Sequence, residues 1–225
     1  EEDIVYYIVK FTINGSDVRF RLKWALESEC VGGTLNKQAD AFITGTNSPA
    51  SSTITGLTHL IGEDVVVWDN GKCLRTSAGA IATFTVSAAG QITVTNAGAA
   101  YQATVGVVGL PYQAPYKSAK LVELVSQPGG NLTDTQIIKS LALILADVHA
   151  KGLKYGRSLT ESEMRDLPEV VDGALVGSNA VRTDYAVEPL AFPGRWSEDE
   201  RLCLLAKAPR PVTVLAALAE LEHHG

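Results

Sequence analysis

TDTQIIKSLALILADVHAKG, running from Thr133 to Gly152, is the stretch on which the fold class turns. Thr133 followed by Gln136 has the form of a capping box, and Asp134 suits the positive end of a helix dipole. Ile137, Leu141, Ile144, Leu145 and Val148 recur at the spacing of one helix face, and Gly152 stands where a helix ends on a residue that tolerates positive φ. The spacing predicts a helix over 134–151, and it is the principal helix of the chain. Strand patterns occupy most of the rest. The expected class is therefore mainly β with one principal α-helix (α+β), an antiparallel β platform plus helix interrupted by a small β-barrel-like insert.

Upstream, residues 4–13 are β-branched and aromatic, and Asn14-Gly15 offers the two positive-φ positions of a type I′ hairpin turn. On the return strand Val18, Phe20, Leu22, Trp24 and Leu26 alternate with Arg19, Arg21, Lys23 and Ala25, so one face is apolar and the other cationic. That cationic face reads as solvated, with an acidic partner as the functional alternative. From Cys30 to Ser52 the composition, with Gly32-Gly33, Gly45, Asn47, Ser48 and Pro49, favours a loop or linker. Short β-rich runs follow at 52–56, 64–68, 80–87, 91–95 and 102–108, with Asn70-Gly71 and Ala89-Gly90 at turns. These make the barrel-like insert, 53–108, set within a discontinuous platform of 1–52 and 109–225. Strands are also expected at 115–124, 180–187, 201–207 and 212–221. Ser197 to Glu200 leaves a helix open for 201–207, and helix-favouring residues 216–222 leave one open for the last run.

At 46% hydrophobic and 20% charged, 225 residues can build the core of one large or two small domains. Nineteen basic against 25 acidic residues leave a formal charge of −6 with no Lys/Arg block, which counts against tight nonspecific nucleic-acid binding. Such a balance suits a surface past which DNA slides without sticking. Cys30, Cys73 and Cys203 are far apart and lack CxxC spacing, so neither a disulfide framework nor a zinc ribbon is indicated and a reducing compartment is the default. The apolar stretches fall far short of the roughly 20 residues that span a bilayer, and Glu1-Glu2-Asp3 is the opposite of a signal peptide. No membrane anchor is expected. A start without Met that runs directly into a strand points to a processed product or a piece of something longer.

The search for chemistry finds no anchor. Gly71-Lys72 lacks the upstream glycine of a phosphate loop, with Val66 in its place and Cys73 where a hydroxyl belongs, and Gly106 to Gly109 opens no predicted helix. No GxSxG occurs, and nothing in the spacing brings His59 or His149 to a cysteine. His149 reads as a hydrogen-bonded residue beside an apolar stripe; His223-His224 lacks a third metal ligand. Glu161, Glu163 and Asp166, and Glu198, Asp199 and Glu200, are carboxylate clusters that read as solvated rather than as an acid–base pair. Trp24, Trp68, Trp196, Tyr112, Tyr116 and Tyr155 offer a weak hint of sugar stacking or an interface, with core roles favoured. No catalytic, cofactor-binding or metal residue is assigned, and no cofactor.

Several segments carry a resemblance. Asn14-Gly15-Ser16 through Arg19, Trp24 to Glu27, Gly56-Leu57-Thr58-His59-Leu60-Ile61-Gly62-Glu63-Asp64-Val65, Val108 to Tyr112, Lys117 to Leu121, Leu141 to Tyr155 and Ala208 to Leu215 together resemble the carboxyl-terminal half of bacteriophage tail nozzle proteins, the tail tubular protein B family of short-tailed phages. The segment from Gly56 to Gly62 and the strands after it are also similar to the first catalytic cysteine half-domain of ubiquitin-activating enzymes, which implies a fold and no activity. The nozzle resemblance implies a non-enzymatic virion protein, assembled in the host cytoplasm as a homo-oligomeric ring of six copies beside neighbouring tail or adaptor proteins. DNA would pass through it without sequence-specific binding. Family members have a propeller-like β-rich region upstream, so this chain is expected to be a carboxyl-terminal portion. The rival readings are a β-sandwich adhesin or carbohydrate-binding module and, with no nucleophile or acid pair behind it, a tail-borne hydrolase.

Overall fold

Asn14 and Gly15 turn the chain back at φ values of 47° and 74°, and Ile13 pairs with Ser16, so the expected two-residue hairpin forms. Its strands are β1 (Tyr6–Ile13) and β2 (Ser16–Lys23). The structure, a computed structural model of the chain, describes residues 4–24, 26, 36–121, 135–168, 170–171, 174–175, 177, 179–186 and 189–224. Its contacts separate two units, residues 1–112 and 113–225. This division differs from the sequence-based one, since 1–52 falls in the same unit as 53–108.

The first unit continues with β3 (Asp40–Ser51), β4 (Thr53–Ile54), a 3-10 turn at Thr58–Leu60, β5 (Asp64–Asp69), β6 (Lys72–Cys73) and β7 (Thr83–Thr85). It ends with β8 (Ile92–Thr93), β9 (Thr95–Asn96), β10 (Ala99–Ala100) and β11 (Ala103–Leu110). One sheet runs β3-β11-β5-β6 with β7 also on β5; β4-β8 and β9-β10 are two-stranded. The sheets stay open, so the insert is not a barrel, and that expectation is corrected. Val65, Val66, Val67 and Trp68 are all buried, as in a strand covered on both faces. Leu57, Leu60, Leu74, Val94 and Val108 pack with them, and Phe11, Val18 and Phe20 bring the hairpin's apolar face onto the same core.

The expected loop 30–52 is also corrected where it is described, because Asp40–Ser51 is a strand paired along β11. Val105 faces Thr46 and Ala103 faces Ser51, so residues 47–50 stand opposite Thr104 alone and the β3 side carries three residues in excess. The turn-forming Asn47, Ser48 and Pro49 sit in that bulge, with the Asn47 amide donating to the Ala103 carbonyl at 3.3 Å.

The second unit comprises β12 (Gln113–Lys117), β13 (Thr135–His149), β14 (Leu153–Gly156), a 3-10 turn at Glu161–Glu163, β15 (Arg165–Asp166), β16 (Val170–Val171) and β17 (Ala174–Leu175). After these come β18 (Val181–Ala186), β19 (Leu190–Ala191), β20 (Cys203–Lys207) and β21 (Thr213–His224). Sheet β12-β20-β14-β15 is one layer; in another, β13 lies between β21 on one side and β18 and β19 on the other.

β13 is the stretch expected to be the principal helix, and the expectation is wrong: no α-helix occurs among the described residues. Its buried positions up to Val148 are Gln136, Ile138, Leu141, Leu143, Leu145 and Val148, steps of two interrupted by steps of three, with His149 buried beside the last. Register shifts lie at Ile138/Ser140 and at Ile144/Leu145, and Asp147 has φ 48°. A strand that changes phase twice imitates the spacing of a helix, while Ile144, counted in the helical face, points outward at 45% exposure. Thr133 and Asp134, the cap of the expected helix, lie outside the described residues. Gln136 instead exchanges backbone hydrogen bonds with Ser197 at 3.0 Å each and donates its side-chain amide to the Leu121 carbonyl. Leu141, Leu143 and Leu145 are at most 1% exposed, and each contributes roughly 1.5–3 kcal/mol by burial.

Candidate assembly surface

In the first unit, β1 and β2 pair only with each other among the described residues, so the hairpin is a two-stranded arm with two unpaired edges. Its turn is anchored: the Asn14 backbone N–H donates to Glu63 Oε1 at 2.8 Å, and Ile13 is buried. The open end is not. Tyr6, Tyr7 and Ile8 are 49%, 48% and 68% exposed and Trp24 is 63% exposed. Cross-strand partners share a face, so Tyr7 with Leu22 and Val9 with Phe20 make an apolar side, while Ile8 with Arg21 and Lys10 with Arg19 make the cationic side. Arg21 lies over the Tyr6 ring at 4.8 Å, and Lys10 pairs with Asp17 at 2.6 Å. The apolar side overhangs a groove of about 810 Å³ that reaches Phe42 and Tyr112.

In the second unit, β21 pairs with β13 alone among the described residues, which leave its outer edge open. Residues 213–219 carry no charge, and Leu215 and Leu218 are 63% and 64% exposed. One face of β21 is Val214, Ala217, Ala219 and Leu221, opposite Leu145, Leu143, Leu141 and Ile138; the other is Ala216, Leu218 and Glu220, opposite Ile144, Ala142 and Ser140. The first face lines an apolar groove of about 640 Å³ whose opposite wall comes from β12 and β20, with Ala114, Tyr116, Leu204 and Ala206. β12 is the other edge strand there, and its five residues are all exposed. An apolar groove between two open edges is a sandwich lacking a strand.

The residues singled out for chemistry are not brought together. Cys30 lies outside the described residues; Cys73 and Cys203 are fully buried free thiols, and burial pushes the Cys203 thiol up from its ordinary pKa. His59 donates from Nε2 to the Ala41 carbonyl at 2.8 Å. His149 is fully buried, accepting the Lys151 N–H at Nδ1 (3.0 Å) with Nε2 at 3.4 Å from the Asn179 Oδ1. The side chains of His223 and His224 are outside the described set. Glu161 pairs with Lys207, Asp166 with Lys154 at 2.9 Å and Asp199 with Arg201 at 2.7 Å, while Glu163 and Glu198 are exposed. Each paired carboxylate thus meets a cation rather than a second acid. Gly71 lies in the Asn70-Gly71 turn between β5 and β6, Lys72 is the first residue of β6, and Gly106 and Gly109 lie inside β11. Of the aromatics, Trp68 and Tyr155 are core, Tyr155 stacking on Phe192 at 6.4 Å; Tyr112 donates to Gln38 at 3.2 Å; Trp24, Tyr116 and Trp196 are exposed. Among the described residues no group of three or more His, Cys, Asp or Glu side chains converges, and no helix is long and apolar enough to cross a membrane.

The burial of two carboxylates escaped the sequence reading. Asp69, fully buried at the end of β5, accepts from the Tyr101 hydroxyl at 2.9 Å and the Thr104 N–H at 3.0 Å; burial and that bond push the Tyr101 pKa up to about 12. Glu200, expected from the sequence to be solvated, is instead fully buried, and burial raises its pKa against the pull of Arg157 and of the Arg195 backbone N–H. Nothing in the sequence distinguishes Glu200 from its solvated neighbours, whereas the uncharged run 213–219 beside two glutamates was a legible sign of an open edge. Compared with known proteins, the chain matches no family model and no curated sequence.

Proposed function

We propose that the chain is a non-enzymatic virion structural protein, a ring-forming subunit of a phage tail nozzle or tail tube through which DNA is ejected. The observation that carries this reading is where the apolar surface lies. It runs along unpaired strand edges, the arm in one unit and β21 with its groove in the other, and not in a cleft with convergent polar groups. The sequence resemblance to nozzle proteins supplies the six-copy ring, the neighbouring tail or adaptor proteins and the virion location with assembly in the host cytoplasm. A charge of −6 suits a lumen wall that repels the DNA it conducts without reading its sequence.

Cryo-electron microscopy of phage particles, with light scattering on the purified chain, tests the proposal. A ring at the tail is expected; a monomer absent from virions overturns it. The alternative, a tail carbohydrate-binding module, draws on the exposed Trp24, Tyr116 and Trp196. Glycan-array binding lost on their replacement by alanine would favour that alternative.

A further inference from the structure

We infer that the β1–β2 arm of one copy is the strand donor for the open β21 edge of a second copy, closing the apolar groove of that copy's second unit. The inference rests on the ring reading and names the joint that makes the ring.

A two-stranded hairpin is marginal in water unless its apolar side is covered. Here, among the described residues, the covering stops short of the open end, where Leu22 is half-buried and Trp24 exposed. The acceptor has the complementary defect, an apolar groove of about 640 Å³ beside a 12-residue strand with one edge unpaired among the described residues. Backbone hydrogen bonds along an edge supply affinity, and the period of two supplies the choice of face.

The faces then match in chemistry as well as shape. If β2 lies along β21 with Leu22 and Trp24 on the side of Ala217, Ala219 and Leu221, Arg19 and Arg21 fall on the side of Glu220. Turning the arm over would put both guanidinium groups against the apolar groove, which is costly for unpaired charge. Charge complementarity therefore selects one orientation of the arm's faces. A second arm is a poor occupant for the arm's own edge, since it would set arginines against arginines. Because donor and acceptor are different surfaces, the contact is heterologous and generates a ring when its rotation closes.

Sedimentation velocity on the full chain, with circular dichroism and melting curves as folding controls, tests this joint. R19E/R21E and E220K/E222K are each expected to raise the concentration for half-assembly by about tenfold, since directly opposed like charges replace opposite ones. The four-substitution chain, and an equimolar mixture of the two variants, are expected to regain wild-type assembly. Glu222 also pairs with Lys139 at 2.8 Å, so E220K alone serves if the double variant fails to fold. Block variants that assemble like the wild type overturn the inference and leave the ring standing. Recovery in the four-substitution chain but not in the mixture overturns it too, because the arm would then seat within its own chain. A wild-type chain that stays monomeric removes both the joint and the ring. Arm-dependent rings from a chain missing in virions would keep the joint and remove the nozzle.

Discussion

Glu200 is a carboxyl group held away from water, and that burial outweighs the opposing pull of the Arg157 charge and the Arg195 backbone N–H, so the folded chain holds its proton more tightly than the unfolded chain does. A raised folded pKa gives stability that is complete below the unfolded value and is lost as pH rises through the folded one. Glu200→Gln, neutral throughout, is expected to match the parent at about pH 4 and to exceed it at about pH 8, as read by urea melts across that range. A variant less stable than the parent at the alkaline end would contradict this assignment. Asp69 is the opposite case, a buried acid whose two donors are in place. Asp69→Ala is expected to cost about 2–4 kcal/mol and Tyr101→Phe about 1 kcal/mol in denaturant unfolding. Neither residue was legible in the sequence as special, since burial and bond satisfaction depend on segments distant in the chain: Tyr101 is 32 residues from Asp69, and Leu121 donates its backbone N–H to the Glu200 carbonyl.

At the scale of elements, the hairpin and most of the strands of the first unit could be read, because alternation, Asn-Gly turns and β-branched residues all agree there. Asn70 and Gly71 take φ values of 46° and 79°, as their dipeptide requires. The failures fall where a strand departs from alternation. β3 hides turn residues in a bulge, and β13 changes phase at its register shifts, so local spacing favours a helix while neighbours on both edges impose a ladder. Far-UV circular dichroism of the chain is therefore expected to show a β spectrum without the helical double minimum. Close strand approach gives a second check. A Cβ at Gly109 would lie 2.7 Å from the Asp40 carbonyl oxygen, 2.8 Å from the Phe42 Cβ and 2.9 Å from the Ala39 Cβ, mostly backbone-fixed atoms. Gly109→Ala is expected to lose about 1–3 kcal/mol by overpacking, measured by chemical denaturation.

Over the whole molecule, each unit has its own buried apolar cluster, which predicts that calorimetry resolves two transitions. Gly109→Ala should lower one of them and Leu143→Ala, at about 2–5 kcal/mol, the other. A single transition moved equally by both substitutions would refute the independence of the cores. The pairing of β13 with β21 also sets a timetable. β13 ends at His149 and its long partner ends at His224, about 75 residues later, or several seconds of translation at ~5–20 residues per second. Hairpins close in about 1–10 μs, so the ribosome, not chain diffusion, governs when this ladder can form. Throughout that wait a leucine-rich nascent strand lacks its widest neighbour, making the interval the point in biogenesis at which chaperone capture or premature clumping competes with correct pairing.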